Sequence, residues 1–76
     1  MKIVICESNG NEHSFKINSE NNIWNIINNF CEERNININN YIFLFNGNRI
    51  NNTDTGSSLT MNMRKNNYID VIHLSR

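Results

Sequence analysis

The sequence predicts an α+β domain in which one helix packs on one face of a mixed β-sheet. Apolar residues alternate with polar ones near both ends of the chain, as they do in half-buried strands. In the middle of the chain they recur with helical spacing instead. Two Asn-Gly pairs mark tight turns, because both residues tolerate positive φ angles. A chain of 76 residues has room for one domain with a small core.

The first half of the chain predicts a hairpin followed by the helix. The segments MKIVICE and EHSFKIN have strand-like composition and flank the first Asn-Gly turn, so we expect them to pair antiparallel. The next segment predicts a helix over residues 22–34, with Asn21 as its N-cap and Ser19 or Asn22 as alternatives. The core-facing stripe of this helix is Ile23, Ile26, Ile27 and Phe30.

The second half predicts three more strands. INNYIFLF is a third strand, and the second Asn-Gly turn joins it to a very short fourth strand around Arg49 and Ile50. TDTGSSLTM is expected to form one helical turn carrying Leu59, and NYIDVIHL alternates again as a last strand. The order β-β-α-β-β-β is that of the β-grasp (ubiquitin-like) fold, with the first and last strands parallel in the middle of the sheet. The inner sheet face would then consist of Ile3, Ile5, Phe15, Ile17, Phe43, Phe45, Ile69 and Val71.

Charge and composition argue against several kinds of partner. Seven basic and seven acidic residues balance without a run of one sign, so neither nucleic acid nor an anionic membrane is an expected partner. No segment approaches the roughly 20 apolar residues of a membrane helix, and the amino terminus does not resemble a signal peptide. We therefore expect a monomeric domain over residues 1–76, nuclear or cytoplasmic, whose two cysteines are free thiols.

The sequence does not favour an enzyme. Cys6 and His13 could form a thiolate–imidazole pair across the first hairpin, but a free cysteine on the sheet is the preferred interpretation. His13 and His73 have no cysteine or carboxylate at metal-ligand spacing, and no glycine-rich phosphate loop is present. We expect no catalytic residue, no cofactor and no metal.

The chain resembles SUMO, the small ubiquitin-like modifier. The segments that carry the resemblance are FKI, FCEERN, FLFNGNRI, DT followed by LTM, and IDV. The resemblance as a whole covers residues 1–72. Aromatic-Cys at the helix end and FLF-x-G-x-R-I are more typical of SUMO than of ubiquitin. The segment NMRKNNY is slightly longer than its usual counterpart. The resemblance implies a SUMO-like protein-interaction domain, part of a larger protein of the SUMO or ubiquitin system.

The resemblance also implies a peptide groove between the second strand and the helix, where SUMO-interacting-motif peptides add a strand. The corresponding residues are Phe15, Lys16, Ile17, Ile26 and Phe30. At the other positions that are basic in SUMO, this chain has Asn18, Asn25 and Glu33. We therefore expect weak binding of apolar peptides, with little benefit from an acidic or phosphorylated flank.

Two further surfaces are candidates. The outer sheet face would carry Val4, Ile42, Leu44, Asp70 and Ile72, at positions similar to those with which ubiquitin docks its receptors. This face could bind proteasome or ubiquitin receptors, the SUMO conjugating enzyme, or another domain of a longer chain. On the helix, Trp24 and Ile27 form a second stripe with Cys31. Trp24 either shields the thin core or belongs to a binding ridge.

The chain lacks the Gly-Gly tail through which SUMO and ubiquitin are conjugated, since no glycine follows Gly56. The alternative to an interaction domain is a true modifier whose tail is missing from these 76 residues. The sequence that follows Arg76 in the gene distinguishes the two, because a nearby Gly-Gly would favour a modifier and a continuing chain an embedded domain.

The 76-residue chain should form no thioester with SUMO activating enzyme, ATP and magnesium. The enzyme must reach a carboxylate through a narrow passage, which only glycine, without a side chain, leaves unobstructed. Non-reducing gels of the reaction measure this. A band that thiol reductants remove would contradict the expectation.

Overall fold

The computed structural model describes residues 1–74. Its elements are β1 (Lys2–Cys6), β2 (Glu12–Lys16), α1 (Ile23–Glu33), a 3-10 turn (Ile38–Asn40), β3 (Tyr41–Phe45), β4 (Asn48–Arg49) and β5 (Asn66–His73). The strands form one sheet in the order β2-β1-β5-β3-β4, with β1 and β5 parallel and the other neighbours antiparallel. The predicted β-grasp fold is confirmed. Within residues 1–74, no helix is long and apolar enough to cross a membrane.

The core lies between α1 and the inner face of the sheet. The predicted inner-face residues of the three inner strands are all buried, namely Ile3, Ile5, Phe43, Phe45, Ile69 and Val71. Phe15 and Ile17, at the edge of the sheet, are half-buried and pack against the same cluster. An edge position leaves one side of a residue without a neighbouring strand, which accounts for their partial exposure.

Asn22 is the residue that starts α1. Its side-chain oxygen accepts a hydrogen bond from the Asn25 N–H at 3.3 Å, and its amide donates to the Asn52 carbonyl at 3.0 Å. The prediction of Asn21 as N-cap is wrong, and the alternative, Asn22, is confirmed. The Asn21 side chain instead accepts from the Asn18 N–H at 2.9 Å and closes the turn before the helix.

The buried stripe of α1 is Ile23, Ile27, Phe30 and Cys31. The placement of Ile27 on an exposed ridge beside Trp24 is therefore wrong, because Ile27 is 0 % exposed at the centre of the contact. Ile26, predicted at the centre of the core, is only half-buried. With 3.6 residues per turn, Ile26 and Trp24 fall on opposite flanks of the Ile23–Ile27 line.

Trp24 covers the β3 side of the core. Its side chain is half-buried, and its ring lies edge-on to Phe43 with the ring centres 6.1 Å apart. Edge-to-face pairs of this kind stabilise a core beyond the area that they bury. The contact supports the interpretation of Trp24 as core cover, and a binding role for its exposed part stays a prediction.

The helical turn predicted between β4 and β5 does not form a defined helix. Residues 56–60 form consecutive turns in which one bond is of helical type, from the Leu59 N–H to the Thr55 carbonyl at 3.1 Å. Gly56 packs so closely that a Cβ atom would collide with the Met1 side chain and lie 3.3 Å from the Ser19 Cα. Close packing of Gly56 against the Met1 side chain and the Ser19 main chain therefore constrains the path of this connection.

Asn67 is a buried polar residue that organises the turn before β5. Its side-chain oxygen accepts from the Asn62 N–H at 2.7 Å. Its amide donates to the carbonyls of Lys2, Asn62 and Lys65 at 3.0, 2.8 and 3.2 Å. These bonds compensate the burial of the amide and attach residues 62–65 to the first strand.

Ile27→Ala should destabilise the domain by about 2–5 kcal/mol, because it removes a fully buried side chain and leaves a cavity. Ile72→Ala is the matched control. Ile72 is 42 % exposed, so its truncation should change stability by no more than about 0.5 kcal/mol. Urea unfolding followed by Trp24 fluorescence measures both. Equal effects for the two variants would contradict the position of Ile27 in the core.

Candidate functional site

β2 is an edge strand with an open outer side, since only β1 pairs with it in the described part of the chain. The Ile17 N–H donates to the Met1 carbonyl at 2.9 Å. Met1 and Ile17 therefore form a hydrogen-bonded pair of the β1–β2 ladder, and every second pair along the register is of the same kind. By alternation, the main-chain groups of Phe15 point toward β1, and those of Ser14 and Lys16 point away from the sheet. The edge therefore presents donors and acceptors that an added strand could use.

The apolar residues predicted for the groove come together beside this edge. Phe30 is buried, and the half-buried Phe15, Ile17 and Ile26 pack against the same core. Side chains alternate along a strand, so Lys16 lies on the opposite, outer face of the sheet. The structure thus brings four of the five groove residues together and separates the charge of Lys16 from them.

A polar cluster closes the groove at the helix end. The Arg34 guanidinium contacts the Glu7 carboxylate, and Glu7 Oε2 lies 2.8 Å from His13 Nε2. The rings of His13 and Phe30 are 5.2 Å apart, and the Arg34 Cζ lies 5.2 Å from the Phe30 ring centre. The sequence does not predict this cluster. Glu7 and Arg34 are 27 residues apart, and nothing in a local pattern connects them.

The outer sheet face carries an apolar group where β3 begins and the antiparallel β5 ends. Ile42 lies opposite Ile72, and Leu44 lies opposite the exposed Asp70. Ile72 and Leu74 are 42 % and 43 % exposed, and Ile42 and Leu44 are half-buried. These residues form a continuous exposed apolar surface next to one carboxylate.

Val4 does not belong to that surface. It lies on the outer face as predicted, but it is only 3 % exposed. Val4 sits on a strand with neighbours on both sides, in register with Ser14 and Tyr68. Flanking strands shield a small side chain in such a position, so the prediction that Val4 contributes to the interface is wrong.

The cysteines are not arranged for nucleophilic chemistry. Cys6 and His13 lie on opposite faces of the sheet, because Cys6 is in register with Glu12, the residue before His13. Burial, and then the carboxylates of Glu12 and Asp70, raise the pKa of the Cys6 thiol. Burial also raises the pKa of the Cys31 thiol. Within residues 1–74, no group of three metal-ligating side chains occurs.

Comparison with known proteins identifies one family. A family model described as ubiquitin-2 like Rad60 SUMO-like matches residues 1–72 of the chain. The matched range includes α1, β1 to β4 and nearly all of β5. No curated protein matches the chain at a significant level.

The raised pKa of Cys6 predicts slow alkylation. At pH 8, iodoacetamide should modify Cys6 more slowly than a cysteine in an unstructured peptide, because less thiolate is present. Asp70→Asn should accelerate the reaction by removing one carboxylate that disfavours the thiolate, whereas Glu33→Gln on the helix is the matched control. Mass spectrometry of digested protein measures the rates. No acceleration by Asp70→Asn would contradict this account of the thiol.

Proposed function

The chain belongs to the family of SUMO-like, ubiquitin-2-like domains, and on that premise we propose that it is a protein-interaction domain that binds extended apolar segments. The observation that carries the proposal is the open edge of β2. It combines outward main-chain groups with an apolar groove between β2 and α1. Strand addition uses these two features together, since main-chain bonds supply affinity and the groove selects side chains.

The proposed setting is a larger nuclear or cytoplasmic protein of the SUMO or ubiquitin system. SUMO-like domains generally mediate protein–protein interactions, which supports a binding role over an enzymatic one. The raised pKa values of the Cys6 and Cys31 thiols also favour a binding role, because a nucleophilic cysteine needs its thiolate form. The suggested partners are SUMO-interacting-motif peptides at the groove.

The outer sheet face is a second candidate site. It is supported by the exposed apolar group of Ile42, Leu44, Ile72 and Leu74 beside Asp70. An apolar centre with a charged rim is the usual composition of a docking surface. Its suggested partners are the SUMO conjugating enzyme or ubiquitin receptors.

Ser14→Pro should abolish binding of an apolar peptide at the edge. The Ser14 N–H points away from β1, so proline at this position removes a donor for the added strand and no bond of the existing ladder. Ser14→Ala keeps the N–H and is the matched control. An NMR titration with a Val- and Ile-rich peptide measures the effect through the amide resonances of Phe15, Lys16 and Phe30, which both variants retain.

The outcomes separate the two surfaces. Equal affinity for Ser14→Pro and Ser14→Ala, with both variants folded by thermal melting, would contradict strand addition. Shifts at Ile42, Leu44 and Ile72 instead of β2 would favour the outer face. If Ser14→Pro does not fold, Ile26→Ser tests the groove from the helix side, where the residue is only half-buried.

A further inference from the structure

The open edge of β2 carries opposite charges at its two ends. The strand is EHSFK, with Glu12 at one end, Lys16 at the other and Ser14 in the centre. These three residues are exposed and lie on the outer face of the sheet. Their main-chain groups point away from β1, because the hydrogen-bonded pairs of the β1–β2 ladder are the alternate ones, such as Met1–Ile17. An acidic and a basic residue thus lie at equal distances from Ser14 on an edge without a neighbouring strand in the described chain.

Neither of these charges is neutralised within residues 1–74. Lys16 lies opposite Lys2 in the β1–β2 register, and like charges in this position destabilise a sheet. Glu12 lies opposite Cys6, and the next residue of the same row is Asp70, a second carboxylate. The ion pairs of the described residues include neither Glu12 nor Lys16. Each end of the edge therefore attracts a group of the opposite charge.

We propose that two copies of the chain pair through their β2 edges, antiparallel and centred on Ser14. In this register Glu12 of each copy lies opposite Lys16 of the other, and the two Ser14 residues lie opposite each other. These are the residues with outward main-chain groups, so all three pairs are hydrogen-bonded and each exchanges two bonds. A two-fold axis relates the copies, and their sheets become one continuous sheet.

The charges specify both the direction and the register of this pairing. Parallel pairing in register would place Glu12 beside Glu12 and Lys16 beside Lys16, which is unfavourable. The smallest antiparallel shift that keeps the outward groups paired is two residues. In either direction it places Glu12 and Lys16 opposite uncharged residues. Only the register centred on Ser14 forms two pairs of opposite charge, and such pairs stabilise a sheet.

The inner face of the edge favours the same register. His13 of one copy lies opposite Phe15 of the other, in a non-hydrogen-bonded pair, where side chains are closest. Phe15 is only half-buried, because β2 has no strand on its outer side. A second copy supplies that strand, and the aromatic cross-strand pair adds to its stability. Pairing therefore covers apolar surface that the edge leaves exposed.

The contact is short, so the dimer is weak. A stable interface usually buries roughly 800 Å² on each partner, and a strand edge of five residues supplies only part of this area. The dilute chain is therefore monomeric, as the sequence predicts, and pairing occurs at high concentration or where two copies are held close together. Self-pairing also occupies the edge at which a peptide would add. This regulation of the peptide site rests on the proposed function, whereas the pairing itself rests only on the open edge.

Exchange of the two charges tests the register. In sedimentation velocity, the mass of the chain should rise from one copy toward two between micromolar and millimolar concentration. Glu12→Lys and Lys16→Glu should each weaken association about tenfold at low salt, which corresponds to about 1.4 kcal/mol, because each turns both opposite-charge pairs into like-charge pairs. An equimolar mixture of the two variants should associate again, since every pair between them has opposite charges. Glu32→Lys on α1 and Arg49→Glu on β4 change the net charge equally at exposed positions and are the matched controls.

A second measurement observes the pairing directly. In a mixture of isotope-labelled and unlabelled chain, the Hα atoms of His13 and Phe15 should give an intermolecular NOE, because residues of a non-hydrogen-bonded pair have the closer Cα atoms. Ser14→Pro should abolish association by removing the central N–H donors, whereas Ser14→Ala retains them.

Three results would overturn the proposal: a mass that stays at one copy up to millimolar concentration, a charge variant that associates as strongly as the unmodified chain, or a mixture that associates no better than its components. A peptide titration separates this inference from the proposed function. If the chain pairs as described and no peptide shifts Phe15 or Lys16, the pairing stands and the peptide site fails. If a peptide adds to the edge and the mass stays at one copy, the peptide site stands and the pairing fails. If both sites are real, peptide should bind Glu12→Lys more tightly than the unmodified chain at millimolar concentration, because less of the edge is occupied.

Discussion

The domain has one helix and a sheet with two faces, so the helix can cover only one of them. The rest of the structure depends on this constraint. The apolar stripe of α1 is sufficient for the inner face, where Ile27 and Phe43 are almost completely buried. Nothing in residues 1–74 covers the outer face. That face therefore keeps charged and polar residues on most strands, and its exposed aliphatic residues collect where β3 begins and β5 ends. The surfaces available to partners are those that the helix leaves uncovered.

Much of the fold could be predicted from the sequence, because strand alternation, helical spacing and the two Asn-Gly turns are local signals. The errors lie where tertiary packing decides. Ile26 and Ile27 both fit the helical pattern, and only the position of the sheet under α1 makes Ile27 central. Val4 follows the alternation of β1 correctly, but its burial depends on the neighbouring strands.

The candidate sites were predictable to different degrees. The apolar groove residues were found from the resemblance, and the structure brings them together. The surface depression lined by Lys2, Lys16, Arg64 and Lys65 was not predicted, because Lys2 and Lys65 come together only through the β1–β5 pairing. Likewise, the cluster of Glu7, His13 and Arg34 needs the hairpin and the helix end to come together. Residues that are far apart in the sequence give no local signal that they come together in such groups.

Asparagine makes up 19 of the 76 residues, and several of these asparagines have specific structural roles. Asn22 and Asn37 cap helical segments, and Asn35 and Asn46 adopt positive φ angles that most residues avoid. Local hydrogen bonding and tolerance of the left-handed region explain why asparagine suits these positions.

The bonds made by Asn67 have an evolutionary consequence. Asn67 holds the turn at residues 62–65 through main-chain atoms alone, and the Asn62 side chain likewise binds only main-chain N–H groups. The side chains at positions 63, 64 and 65 take no part in these bonds. Natural variation could therefore change the charge of this turn, even reverse it, without altering its shape. In related domains, the preference for a partner could diverge there while the scaffold stays constant.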